Sequence, residues 1–211
     1  QGKVFLVGNT IVDATLRGVV LSNERGLNTN KFVVPEHEYC LLTLHREENV
    51  DNCEILTRIL SAVGKLTVDC NAKFLFPVHP RTQKRLKEFG LLSLLEENPN
   101  INLVHPFEYL DFISVLKNAA LVMTDSGGIQ EESCILQTPC ITLRESTERQ
   151  ETVTIGANIV VGTDLNGIVA AYHKVSLNKQ NDPWSNPYGD GKTAQRIVDT
   201  CLFGAPKDEW R

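Results

Sequence analysis

The chain has no C-x-x-C pair among its six cysteines, no surplus of positive charge and no long apolar run. Each absence excludes a class. Cys40, Cys53, Cys70, Cys134, Cys140 and Cys201 are too irregularly spaced for a zinc site or a disulfide framework, and Cys40 and Cys140 lie inside apolar runs where a thiol behaves as a small hydrophobe. Buried reduced thiols are the expectation. A net charge of -5 and a pI near 5.6 argue against nucleic acid or an anionic membrane surface as the main partner, because phosphate backbones select basic faces. No stretch approaches the roughly 18 apolar residues of a membrane span, and no charged, then apolar, leader opens the sequence. A cytoplasmic protein is expected. Internal repeats and low-complexity segments are also missing.

What is present is a 211-residue chain, 42% hydrophobic, able to bury a real core. Short apolar runs alternate with longer amphipathic ones. The spacing predicts strands over 3–8 (KVFLVG), 39–45, 72–79, 101–105, 120–125, 139–143 and 157–162. Helices are expected over 9–22, 54–66, 80–90, 107–119, 128–137 and 190–204, while 175–189 reads as polar and turn-rich. Strands of about five residues alternating with helices of ten or more predict βαβ units, a parallel sheet covered on both faces and one doubly wound α/β domain. The last helix, 190–204, would pack back on the rest.

In such folds ligands sit beyond the carboxyl ends of the strands. Asn9, Thr10, His45, Arg46, His79, His105, Asp125 to Gly128 and the run Arg144 to Arg149 fall there. In 124–132, TDSGGIQEE, Ser126-Gly127-Gly128 leads from a strand into a helix, so its amides are unpaired donors at the positive end of a helix dipole. Adjacent glycines let a phosphate or diphosphate approach the main chain. The same tripeptide could instead be a serine cap with a tight glycine turn. Glu131 and Glu132 follow, and a carboxylate beside a phosphate cradle suggests ribose hydroxyls, hence a nucleotide. His45 could titrate near neutral pH and reach a substrate, or cap a loop. Arg81, in VHPR, is available for an anion. RESTER (144–149) is either a ligand loop or a solvated ion-pair cluster.

These residues carry a family resemblance. NTIVDATL (9–16), LTLHREENVD (42–51), FPVHPR (76–81), the run 108–133, PCITLRESTERQETV (139–153), GANIVVGTD (156–164) and NPYGDGKTAQRI (186–197) together resemble the C-terminal half of the non-hydrolysing UDP-N-acetylglucosamine 2-epimerases. The resemblance covers nearly the whole chain. It implies a Rossmann-like doubly wound sheet, the second domain of a two-domain GT-B fold, with residues 190–204 as a crossing C-terminal helix. It also implies a chain nearly twice as long, with an N-terminal domain as this chain's partner and a homodimer as the full-length assembly.

The implied reaction interconverts UDP-N-acetylglucosamine and UDP-N-acetylmannosamine, by eliminating UDP across C1 and C2 and adding it back. Ser126, Gly127 and Gly128 match the family's diphosphate turn, and Glu132 matches the carboxylate on the ribose. Phe112 matches an aromatic near the uracil, and Phe107 stands where main chain contacts the base. Arg149 matches an arginine facing phosphates or sugar, and His45 a histidine implicated in catalysis. Arg46 and His79 match contacts to a second, activating nucleotide sugar in bacterial members. No metal and no redox cofactor is implied. The chain departs from the family at Gln150, where TERPE has proline, and at Glu47, where many members have a second arginine. Three other readings stay open: a hydrolysing 2-epimerase, an epimerase of a modified UDP-sugar, and a nucleotide-sugar binding module without catalysis.

Overall fold

A computed structural model describes residues 3–26, 35–177 and 183–208. After helix α1 (Thr10–Glu24) come β1 (Tyr39–Thr43), α2 (Glu47–Val50), α3 (Cys53–Asp69), β2 (Lys73–Pro77), α4 (Pro80–Glu88), α5 (Leu92–Glu96) and β3 (Ile101–Val104). The second half contains α6 (Tyr109–Lys117), β4 (Leu121–Thr124), α7 (Gly127–Ile135), β5 (Cys140–Thr142), α8 (Gln150–Thr154), β6 (Asn158–Val160), α9 (Leu165–Leu177) and α10 (Thr193–Phe203). All five pairings are parallel, in the order β3-β2-β1-β4-β5-β6.

That is the Rossmann order. The chain builds outward from β1 through β2 to β3, then returns to the other side of β1 as β4. The reversal leaves a crevice beyond the carboxyl ends of β1 and β4, where Thr43 pairs with Thr124.

Alternation along the strands divides the interior. Cys40, Leu42 and Leu44, with Phe74, Phe76, Met123 and Ile141, join one core with Leu56, Ile59, Val63 and Leu66 of α3 and Ile168 of α9. Tyr39, Leu41, Leu75, Val122 and Cys140 point the other way, onto Val115 and Leu116 of α6. Period-two strands buried on both faces explain why the sequence runs are continuously apolar.

One expected strand is absent. Residues 3–8 form no ladder, and Val4 and Leu6 are 95% and 72% exposed. The KVFLVG pattern has β propensity, but a strand needs a neighbour, and both edges of this sheet lie elsewhere. A helix was missed: α9 carries Leu165, Ile168, Val169, Tyr172 and Val175 at spacings of three and four, all in or against the first core. Its end takes up 175–177 of the expected turn-rich run, and 178–182 lie outside the described residues.

The last helix does fold back. Lys192, at its N-cap, makes no side-chain cap. Instead Asp13 of α1 accepts from Thr193 N (3.2 Å) and Ala194 N (3.0 Å). Gly8 enables this contact: its φ is +96°, and a Cβ there would stand 2.6 Å from Thr193 Oγ1. Only glycine tolerates both.

The cysteine expectation holds in part. All six thiols are free, but Cys53 and Cys201 are exposed and Cys70 partly so. These three lie on helices or at a helix end, away from the strands that bury Cys40 and Cys140.

Candidate functional site

The crevice is assembled from the ends of β1 and β4. Ser126 occupies the N-cap of α7 in extended conformation, yet its side chain makes no capping bond, and its amide is not the unpaired donor that the sequence suggests, because it donates to Thr124 Oγ1 at 3.0 Å. Neither Gly127 nor Gly128 has positive φ. A Cβ added to Gly127 would meet nothing closer than Glu148 Oε2 at 4.0 Å, and one on Gly128 nothing closer than Ser126 Oγ at 4.0 Å. Neither backbone conformation nor packing within the chain requires these glycines. They leave open space over the free amides of a nine-residue helix, the arrangement that accommodates an anion. The reading of the tripeptide as a serine cap with a tight glycine turn is therefore not what the fold uses.

The two acids of α7 have different surroundings, although both are 8% exposed. Glu131 Oε1 accepts from Asn9 Nδ2 (3.1 Å) and stands 2.9 Å from Arg149 Nε. The Arg149 N–H is not aimed at that oxygen, so this is an ion pair without a well-directed hydrogen bond. Glu132 pairs with no cation among the described residues: burial pushes its carboxyl up to about 7, against the pull of the Tyr109 hydroxyl, and the neighbouring Glu131 charge adds to the rise. An acid held this way is poised to accept from hydroxyls when ionised.

Beside the turn, Arg144 donates to both oxygens of Glu148 (2.9 and 3.1 Å) and to Glu48 (3.1 Å). Those hydrogen bonds hold Glu148 down at about 2. Arg46 acts on Glu148 through its charge, and its buried Nε has no hydrogen-bond partner among the described residues. RESTER is thus both things that its sequence allowed: Arg144 closes an ion-pair cluster, while Arg149 reaches back to α7.

His45 follows β1 and Asp125 follows β4. The His45 Nδ1 is 2.9 Å from Asp125 Oδ1, and the carboxylate also accepts from the backbone of His45 (3.0 Å) and Arg46 (3.0 Å) and from Asn49 Nδ2 (3.3 Å). Sequence reasoning placed Asp125 at a strand end without giving it a part. The signal was there, since two adjacent parallel strands ending in histidine and in aspartate bring the two together.

On the other side of His45 a pocket of about 250 Å³ is lined by His79, Pro106, Phe107, Phe112 and Ile129 among others. The two phenylalanines thus share one pocket with His45. The His79 ring lies 5.9 Å from that of His45, and its Nδ1 accepts from Arg81 N (3.2 Å) at the start of α4. Arg81 is not available for an anion: Asp51 and Glu47 take its guanidinium at 2.5 and 2.7 Å. Glu47, beside Arg46 in sequence, turns to Arg81. His105 is exposed past β3 and joins none of these contacts. Among the described residues no group of three or more His, Cys, Asp or Glu could hold a metal ion, and no helix is long and apolar enough to cross a membrane.

Sheet order, open glycine turn and crevice define a Rossmann-type α/β domain with an open helix N-terminus at its switch point. Within that class, a family model described as UDP-N-acetylglucosamine 2-epimerase matches residues 1–202, and the chain belongs to this family. The UDP-N-acetylglucosamine 2-epimerase of Methanocaldococcus jannaschii is 47% identical over 207 residues, 97% of this chain and 56% of the relative. That of Methanococcus maripaludis is 44% identical over the same length. A crystal structure of the M. jannaschii enzyme in complex with UDP-GlcNAc and UDP superposes with a TM-score of 0.86 at 45% identity, covering 96% of this chain and 55% of that one. The chain spans about half the length of the relatives it matches.

Proposed function

We propose that the chain is the UDP-binding half of a non-hydrolysing UDP-N-acetylglucosamine 2-epimerase. It works with an N-terminal half corresponding to the part of its relatives that it does not cover, in a cytoplasmic homodimer. The observation that carries this reading is the pair Gly127 and Gly128, which the fold does not need and an incoming diphosphate does. The amides of Gly127 and Gly128 and the uncommitted hydroxyl of Ser126 take the diphosphate, Glu132 the ribose hydroxyls, and the Phe107–Phe112 pocket the uracil. Arg149, held by Glu131, faces phosphate or sugar. His45 serves the leaving diphosphate, and Arg46 and His79, on the same rim, contact a second nucleotide sugar.

UDP has to be held while its bond to C1 breaks and until it is added back to the other epimer. Preorganised amides and arginines suit that task, because they stabilise charge that grows on the departing diphosphate. The acid and base that work at C2 belong to the other half, so this chain alone binds UDP without turning over.

Calorimetry of the 211-residue chain with UDP tests the binding half of the proposal. An epimerisation assay of the full-length protein tests the rest. UDP-ManNAc formed from UDP-GlcNAc without free UDP supports it; stoichiometric free UDP identifies a hydrolysing enzyme, and binding without any turnover identifies a binding module.

A further inference from the structure

Asp125 is the most completely enclosed charge at the crevice, 0% exposed at the end of β4. Both of its oxygens accept from backbone: Oδ1 and Oδ2 lie 3.2 and 3.0 Å from His45 N, and Oδ2 also takes Arg46 N at 3.0 Å. Asn49 Nδ2 adds a further donor at 3.3 Å and is itself anchored on Leu143 O at 2.9 Å. An aspartate ringed by N–H groups is a carboxylate that has only acceptor capacity to offer. The remaining contact, His45 Nδ1 at 2.9 Å from Oδ1, is therefore a hydrogen bond in which the imidazole donates. This fixes the ring as the Nδ1–H tautomer.

The arrangement is set by the sheet rather than by a loop. Thr43 and Thr124 are paired in register, and their hydroxyls meet at 2.6 Å. Residues that follow them are consequently placed by the two central strands, where side-chain position is most precise. His45 keeps 39% of its side chain exposed at the pocket of Phe107 and Phe112, and Nε2 is the ring nitrogen left to face a ligand.

We propose that Asp125 is a positioning residue that makes Nε2 of His45 the working nitrogen of the reaction. The inference rests on the reading of this chain as half of an epimerase. As the C1–O bond breaks, its electron pair goes to the β-phosphate oxygen and the C2 proton goes to the base in the other half. Imidazolium His45 then gives its Nε2 proton to that phosphate oxygen and becomes the neutral Nδ1–H ring. On re-addition the same nitrogen takes the proton back. Asp125 takes no proton in either step; it keeps the Nδ1–H bond and orients the ring, as the buried acid of a serine-protease triad does.

The test has two arms. In the 211-residue chain, with ¹⁵N-labelled histidine and His45 assigned through His45→Gln, the neutral ring is expected to show a protonated Nδ1 and a pyridine-like Nε2. This measurement needs no Asp125 variant, so it stands even if one fails to fold. In the full-length enzyme Asp125→Asn, whose amide can donate to Nδ1 and so select the other tautomer, should lower kcat by about 10²- to 10⁴-fold. KM and UDP affinity should stay within about threefold, and Asp125→Glu should recover part of kcat. An Nε2–H ring in the wild-type chain would overturn the inference alone. So would an Asp125→Asn enzyme whose loss follows UDP affinity rather than kcat, since that is the signature of a merely structural aspartate. Absence of turnover in the wild-type full-length protein would instead overturn the epimerase reading itself.

Discussion

Glu131 and Arg149 stand 2.9 Å apart, joining α7 to the first residue before α8, and Asn9 at the N-cap of α1 donates to the same carboxylate oxygen at 3.1 Å. Three segments distant in sequence thus meet on one acid. Arg149 keeps 35% of its side chain exposed, so the ion pair itself contributes little stability in water. Its value is in keeping the guanidinium beside α7.

Replacing that acid should separate aim from stability. Glu131→Ala is expected to cost about 1.5–3 kcal/mol, the loss of the hydrogen bond that Asn9 gives to a charged group. It should weaken UDP binding roughly tenfold, as a mispositioned arginine loses one charge-assisted contact. Thermal melting and UDP calorimetry on the same variant check both. Unchanged UDP affinity would show that Arg149 does not depend on Glu131.

At the glycine turn, stability and binding should move in opposite directions. Since a Cβ on Gly128 would meet nothing closer than 4.0 Å, Gly128→Ala should leave the fold unharmed or stabilise it by up to about 1 kcal/mol through helix propensity. The same methyl would stand over the amides proposed to receive the diphosphate. UDP affinity should fall at least tenfold, about 1.4 kcal/mol. A variant that melts higher and binds equally well would remove the turn from the ligand site.

Arg196 is only 2% exposed, and both Asp190 and Asp208 bond it in pairs at 2.7–3.1 Å. These bonds tie α10 to the turn before it and to the chain after it. Arg196→Met should cost about 1.5–3 kcal/mol and lower Tm by several degrees, at about 2–4 °C per kcal/mol for a chain of this size. UDP affinity should not change, because the cluster touches neither the turn nor the pocket. Chemical and thermal denaturation beside calorimetry would show it.

Most of the fold was legible because two periods are written plainly. Runs such as YCLLT, buried at every residue, can be little else than central strands, and PRTQKRLKE begins with proline where the helix does. Strand 3–8 was misread because propensity is local while pairing is not. The α9 pattern was readable at spacings of three and four, but Gly167 and the β-branched Ile168 and Val169 weaken the helical signal. At the site, the glycine turn was legible as a motif. What the glycines do was not, since it depends on the empty space above them. Arg81 looked free because Asp51 lies 30 residues away in sequence, and Asp125 looked idle because His45 is 80 away. Such contacts belong to strand order, which no local pattern records.

Glu132 makes the site pH-dependent in a direction that can be worked out. Burial raises its carboxyl from 4.5 to about 7, so between those values the folded protein holds a proton that the unfolded chain has released. Stability attributable to this group therefore falls as pH rises from about 4.5 to 7, by on the order of 3 kcal/mol at most. Glu132→Gln, neutral at every pH, should abolish that slope. Ligand binding has the opposite sign. If ribose hydroxyls donate to the ionised carboxylate, as proposed, UDP should bind more tightly as pH rises from 6 to 8, and binding near neutral pH should release a proton to the buffer. Calorimetry in two buffers of different ionisation heat measures that proton directly. Finding no release in the wild-type chain, or the same release in Glu132→Gln, would take the ribose away from Glu132.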